Sequence, residues 1–293
     1  MYNAMSLASF GYPKSRKDFD PEATYVRSQF LSPKTFAYAR AIIALYCWMT
    51  IIVAYSWLAY EQAHNQLRDV NIPPYTQILD RGFIAKSFSF FTFIEFWSQA
   101  FYFMVSSWHT FTYARRAPTG KSHLHDDLPR LLQFAHSLWH TTIITYPFLV
   151  SIVYWSSMYA PPWSSTKAFT RWINISVHGL NGIFAILEII CSAVKPPPFV
   201  PHLSVVLLGL SLYLGLAYVT KVDQGFYVYE WMDPKWEWRS IMGHILAYAG
   251  GMVVIYCVVW AGIWVRERLL RGRASKRVVS NATSGTQTEG DGV

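Results

Sequence analysis

The chain has 293 residues, of which 53% are hydrophobic and 17% aromatic but only 14% charged; soluble domains carry about 25% charged residues. Its apolar residues fall in runs long enough to cross a bilayer, which takes about 20 residues, so disorder and a disulfide scaffold are excluded. The formal charge of +8 sits in ends and loops rather than on one amphipathic face, which excludes nucleic acid as a partner. The sequence reads as an all-α polytopic membrane protein whose first partner is the lipid bilayer.

Residues 1–35 form a basic arm with Lys14, Arg16, Lys17, Arg27 and Lys34. No apolar stretch lies near the start, so the first span is expected to serve as the insertion signal. Six spans are predicted, near 36–60, 84–113, 131–159, 172–194, 201–220 and 240–265, as helices because only helices satisfy an open backbone in lipid. Lys195-Pro196-Pro197-Pro198 cannot continue a helix and turns the fourth span into the fifth. These six helices form one transmembrane domain over 36–265. The basic, then Ser/Thr/Gly-rich stretch 266–293 is expected to be a disordered tail. Cys47, Cys191 and Cys257 lie inside apolar runs and form no CxxC pair, so no metal site is expected from them.

Six spans place both termini on one side, with the 114–130 and 195–200 loops. That side carries 17 of the 25 Lys and Arg residues, so both ends are expected in the cytoplasm, of a plasma or internal membrane. The sequon at Asn281 is then silent, and that at Asn174 lies at or within the membrane. The outer loop 221–239 is rich in aromatic rings (Phe226, Tyr227, Tyr229, Trp231, Trp236, Trp238), which favour the headgroup level or could cover a pocket.

Polar residues inside spans are costly and face a bundle interior or cavity. In the second span Thr92, Glu95, Gln99, Tyr102, Ser106 and His109 alternate steps of three and four, one stripe on a helix. Asn174, His178, Asn181 and Glu188 make a second stripe in the fourth span, with Ala185 in the missing slot. Interhelical hydrogen bonding is the plain reading of both. Depth suggests more: at about 1.5 Å per residue, Thr92 and His178 sit roughly 12 and 9 Å below the same surface, with His244 shallower in the sixth span. A hydroxyl and an imidazole that meet in a pocket are the minimum for nucleophilic attack on an ester. Singly, the Thr92 hydroxyl would instead back-bond to the Phe88 carbonyl.

Three stretches are similar to one family. Ser87–Phe103, SFSFFTFIEFWSQAFYF, resembles the second-span motif of the androgen-induced gene family of integral membrane proteins, which includes the androgen-dependent regulators of tissue factor pathway inhibitor. Trp172–Ile189, WINISVHGLNGIFAILEI, resembles its Trp-Leu-Asn…His segment. Gly225–Asp233, GFYVYEWMD, resembles its Gly-x-Trp-Val-Tyr-Pro loop. The likeness spans roughly residues 36–265 and looks most like the fungal branch. Ile175 stands where the animal proteins have a second His, and Glu230 where they have Pro. The resemblance implies an atypical threonine hydrolase of fatty acid esters of hydroxy fatty acids, with the family's nucleophile at Thr92 and its His at 178. Glu95, Asn174, Asn181 and His244 are then candidate substrate contacts, the partner is a lipid ester, and no cofactor or metal is needed.

Two other classes are compatible with the pattern. Glu95, Glu188 and the histidines could line a proton or cation path of a transporter or channel, although no internal repeat is visible. Histidines near both membrane faces (His109 with His136 or His140, and His178 with His244) could ligate two b-type haems.

Overall fold

The structure is a computed structural model that describes residues 19–64, 83–116, 128–158 and 168–287. Residues 1–18 of the basic arm, most of the 61–83 loop and the last six residues lie outside that range. The described residues build six helical rods in chain order. The first is α1 (Pro33–Ala63). The second is a short α2 (Phe83–Ser87) followed by α3 (Phe91–Arg116). The third joins α4 (Arg130–Ile143) to α5 (Tyr146–Val153) and a π-helical turn, Tyr154–Met158. The fourth joins α6 (Ala168–Ile175), a π-helical turn at Ser176–Leu180, and α7 (Asn181–Cys191). The fifth and sixth are α8 (Phe199–Gln224) and α9 (Trp238–Gln287). Among the described residues the only extended pairing is an isolated bridge between Ser28 and Ser192.

Four rods are long and apolar enough to cross a membrane: Pro33–Tyr60, Ala168–Cys191, Phe199–Gln224 and Trp238–Gly272. The chain is thus an all-α polytopic membrane protein. The second rod falls short of that apolarity because it carries polar groups of the interior, and the third because its break leaves two helices too short to span. Glu95, Gln99, Tyr102, Ser106 and His109 are all buried, so the period of the stripe in the second span gave its inward face correctly.

Three departures from the expected spans matter for the site. First, the second span is broken at Phe88–Phe90. No Gly or Pro causes the break; Ser87 Oγ donates to the Ile84 carbonyl (2.7 Å), competing with helical continuation. Other rods hold the break, with Tyr55 OH 2.7 Å from Ser87 Oγ and Thr220 Oγ1 donating to Ser89 Oγ (3.0 Å). Second, the third rod is broken at Ile144–Thr145, just before Pro147, whose missing N–H and ring cannot follow a regular turn. Third, α9 runs on to Gln287, so the boundary expected at 265 marks the end of apolarity and not of the helix.

Packing of the rods is close where side chains are small. Gly209 on α8 faces the Tyr146 hydroxyl so directly that any Cβ would overlap it; that hydroxyl donates to the Val206 carbonyl (2.8 Å). At Gly182 a Cβ would stand 3.0 Å from Ser151 Oγ, so the glycine lets the third and fourth rods approach. At the opposite end from Thr92, the fully buried Arg40 pairs with Glu188 and donates to the Tyr25 carbonyl (2.8 Å) and Thr110 Oγ1 (2.7 Å). This joins the first, second and fourth rods to the segment that precedes α1.

Candidate functional site

Thr92 is the second residue of α3, immediately after the break. A threonine within a helix finds a carbonyl four residues back, as Thr110, Thr141 and Thr220 do here. Thr92 has none in position, because the chain below it is not helical, and its Oγ1 is hydrogen-bonded to nothing. The expected back-bond to Phe88 is therefore absent. The free hydroxyl lines a cavity of about 350 Å³, within the usual range for small-molecule sites.

Five elements wall this cavity: the start of α3, the third rod, α8, the 225–237 loop and α9. Apart from Thr92 and Ser211 its lining is aliphatic, Met and aromatic, and no Asp, Glu, His, Lys or Arg contributes to it among the described residues. Tyr229, Trp231 and Met232 of the aromatic loop form one wall, with Val228 and Met232 fully buried. This part of the loop therefore packs into the bundle end beside Thr92, while Trp236 and Trp238 are exposed.

His178 reaches the cavity through one aromatic ring. Tyr154, a lining residue, stacks on the imidazole with centroids 3.6 Å apart and planes 8° from parallel. Each of the two rings sits in one of the two π-helical turns, local widenings that re-aim a side chain and recur at functional sites. The His178 Nδ1–H donates to the Asn174 carbonyl (3.2 Å); because a carbonyl only accepts, Nδ1 carries the proton and Nε2 is left as a base. Trp155 Nε1 also donates to the His178 carbonyl (3.0 Å). The turn carrying His178 packs against α3, although no hydrogen bond joins His178 to Thr92.

The other expected contacts are placed elsewhere. Glu95 and Asn181 do not line the cavity: Asn181 Nδ2 donates to Glu95 Oε2 (3.3 Å), and its Oδ1 accepts from Ser151 Oγ (3.3 Å) and the Gly182 N–H (2.7 Å). Gln99 Nε2 donates to the Asn181 carbonyl (3.0 Å). This is a knot between the second, third and fourth rods, as the plain reading of a polar stripe anticipates. Asn174 spends its amide on the Thr170 carbonyl (3.0 Å); its backbone, not its side chain, serves His178. His244 lies flat on Trp231 (5.3 Å, 5°) and lines a second, outer hollow of about 320 Å³ with Glu230, Ser240 and Tyr229. Trp231, Tyr229, Tyr248 and Met158 border both spaces.

The geometry also bears on the two other classes. Glu188 is engaged by Arg40 and Glu95 by Asn181, so neither carboxyl borders the cavity as an ion path would need. The rings of His109 and His136 are 5.5 Å apart at 34°. His178 and His244 pack on Tyr154 and Trp231, not on each other.

A family model for FAR-17a/AIG1-like proteins matches residues 41–267. The chain belongs to this family. It is the family suggested by the three short motifs, and the match takes in part or all of each rod described above. No curated protein and no solved structure matches the chain. In this FAR-17a/AIG1-like protein two groups of the site were missed from sequence. Tyr154 is one tyrosine among 19, and only the fold pairs it with His178. Tyr213 and Tyr229, whose hydroxyls meet beside Thr92 (3.2 Å), come from a span in which no polar stripe was read and from a loop read mainly as an anchor.

Proposed function

We propose that the protein is a membrane-embedded threonine hydrolase of lipid carboxylic esters, such as fatty acid esters of hydroxy fatty acids. The observation that carries this is the unbonded Thr92 hydroxyl on an apolar cavity whose wall, Tyr154, also stacks on the His178 imidazole. An acyl chain suits such a lining, and burying it contributes about 0.8 kcal/mol per methylene.

Thr92 Oγ1 attacks the ester carbonyl carbon while His178 Nε2 takes its proton. The tetrahedral intermediate then expels the alkoxide, which receives that proton from His178. This leaves the acyl group on Thr92. Water, deprotonated by the same Nε2, attacks the acyl-threonine and releases the fatty acid. The Asn174 carbonyl fixes the tautomer that makes this possible, and the Tyr154 ring fixes the plane. Such hydrogen bonds are often long before substrate arrives, and the reaction requires that Thr92 Oγ1 and His178 Nε2 come within hydrogen-bond reach, directly or through one water. The Glu95–Asn181 knot braces the three rods, and His244 in the outer hollow meets the polar end of the ester. With 17 of 25 basic residues on the opposite side, the cavity belongs to the outer leaflet and both termini to the cytoplasm.

The test is hydrolysis of a hydroxy-fatty-acid ester by detergent-purified variants matched for melting temperature. Thr92→Ala and His178→Ala are each expected to abolish turnover, with no further loss in the double variant, because the two act as one unit. Thr92→Ser keeps the hydroxyl and part of the rate. Wild-type turnover in Thr92→Ala ends the proposal.

A further inference from the structure

The chemistry proposed for Thr92 places a negative charge on the former carbonyl oxygen, in a cavity whose lining has no cation. An uncompensated charge there would be prohibitive, so the site needs preorganised hydrogen-bond donors aimed at that oxygen. Two unassigned groups stand next to the nucleophile. One is a pair of tyrosines. Tyr213 OH accepts from the Phe91 N–H (3.0 Å), donates to the Ser89 carbonyl (3.1 Å), and lies 3.2 Å from Tyr229 OH. Both rings line the cavity with Thr92. A phenol has one proton, and that of Tyr213 is shared between two acceptors in reach, the Ser89 carbonyl and Tyr229 OH. When Tyr213 gives it to Tyr229 OH, the Tyr229 proton is left for a ligand. Burial pushes the Tyr229 phenol up to about 12, so it stays a neutral donor through the physiological range.

The other group is backbone. At the start of α3 the Phe91 N–H goes to Tyr213, and those of Phe93 and Ile94 go to the Phe90 carbonyl. The Thr92 N–H between them has no partner. It belongs to the same residue as the attacking hydroxyl.

We propose that the Tyr229 hydroxyl, held in place by Tyr213, and the Thr92 backbone N–H together form the oxyanion site of the reaction. The inference rests on the hydrolase reading and adds a third catalytic residue, Tyr229, and a positioning residue, Tyr213. On attack the carbonyl π pair moves onto oxygen, the two donors hold that charge, and the pair returns when the alkoxide leaves. Neither donor gives up its proton.

The experiment compares wild type, Tyr229→Phe, Tyr213→Phe and Thr92→Ala as full-length protein in detergent. A p-nitrophenyl acyl ester serves for kcat and KM, and an alkyl trifluoromethyl ketone serves as an inhibitor that becomes an oxyanion on Thr92. Loss of one such donor costs about 10²-fold in kcat, so Tyr229→Phe is expected to lose about that factor with KM nearly unchanged. The inhibition constant should rise by a similar factor, and an inhibition constant does not depend on the fraction of enzyme folded. Tyr213→Phe should shift the same two quantities by less. Turnover abolished in Thr92→Ala but wild-type kcat and inhibition in Tyr229→Phe overturns this inference and leaves the hydrolase reading standing. A rise in KM alone also overturns it, because Tyr229 would then be only a wall. Full turnover in Thr92→Ala removes both.

Discussion

Removing Arg40 should destabilise the bundle without touching its chemistry. Arg40 is 1% exposed and its guanidinium sits against the Phe36 ring, 3.9 Å from the centroid. It donates from Nε to Glu188 Oε2 (3.1 Å) and pairs with Oε1 through Nη2. In Arg40→Met the Glu188 carboxylate keeps only Tyr102 OH at 3.4 Å and the His140 ring at 3.7 Å. Breaking a buried ion pair in this way costs about 3–5 kcal/mol, whereas replacing both partners by packed apolar groups is often neutral. At about 2–4 °C per kcal/mol for a domain of this size, a loss of ~3 kcal/mol lowers the melting temperature by roughly 6–12 °C. Arg40→Met/Glu188→Met should recover most of that. Glu188 lies ten residues beyond His178, about 15 Å along the rod, so ester hydrolysis by the double variant should stay within a few-fold of wild type. Thermal melting in detergent and turnover on the same preparations check both halves. A double variant that melts no higher than Arg40→Met would refute the pairing argument. One that melts normally but has lost turnover would refute the separation of the two centres.

Glu95→Gln keeps an acceptor for the Asn181 amide and should preserve fold, yield and fluorophosphonate labelling of Thr92; Glu95→Lys buries an unpaired charge among three rods and should yield no monodisperse protein. If Gln abolishes labelling in folded protein, Glu95 belongs to the reacting set. Stacked rings contribute about 0.5–1.5 kcal/mol, so Tyr154→Leu should slow turnover about 2- to 13-fold while Tyr154→Phe, which keeps the ring, stays near wild type. Equal losses in Phe and Leu would show that the hydroxyl, not the stack, is what His178 needs.

Much of this was legible in the chain. The steps of three and four from Thr92 to His109 gave the buried face of α3, and counting residues into the spans put Thr92 and His178 at one end. Pro147 marked the break in the third rod, though the span was read through it. The break at Phe88–Phe90 carries no such mark. It depends on Tyr213 and Thr220, more than 120 residues away in sequence, and no local pattern announces a contact of that range. The π-helical turn at Ser176–Leu180 is equally silent, because it shifts the register of a stripe without changing its composition. That shift also explains why one stripe served two purposes. His178 stacks on Tyr154, while Asn181 and Glu188 are spent on the knot and on Arg40. Arg40 itself was counted only as a cytoplasmic charge, although a lone Arg early in one span and a lone Glu late in another are natural partners.

The helix break explains why this threonine, among several in the same membrane interior, is available for chemistry. In lipid, a backbone group released from a helix must find another partner, so a break is tolerated only where neighbouring rods supply one. Here they do: Tyr213 takes the Phe91 N–H and can give its proton to Ser89, and Thr220 holds the Ser89 side chain. The break in turn leaves Thr92 without a carbonyl to bond, so its hydroxyl remains free where Thr110 and Thr141 are occupied. The same break leaves one N–H unpaired at the next atom along the backbone. A continuous helix through residue 92 would have been easier to insert and more stable. It would also have tied up the hydroxyl and the N–H that the proposed reaction uses, which gives a physical reason for the second span to stop and restart one residue before its nucleophile.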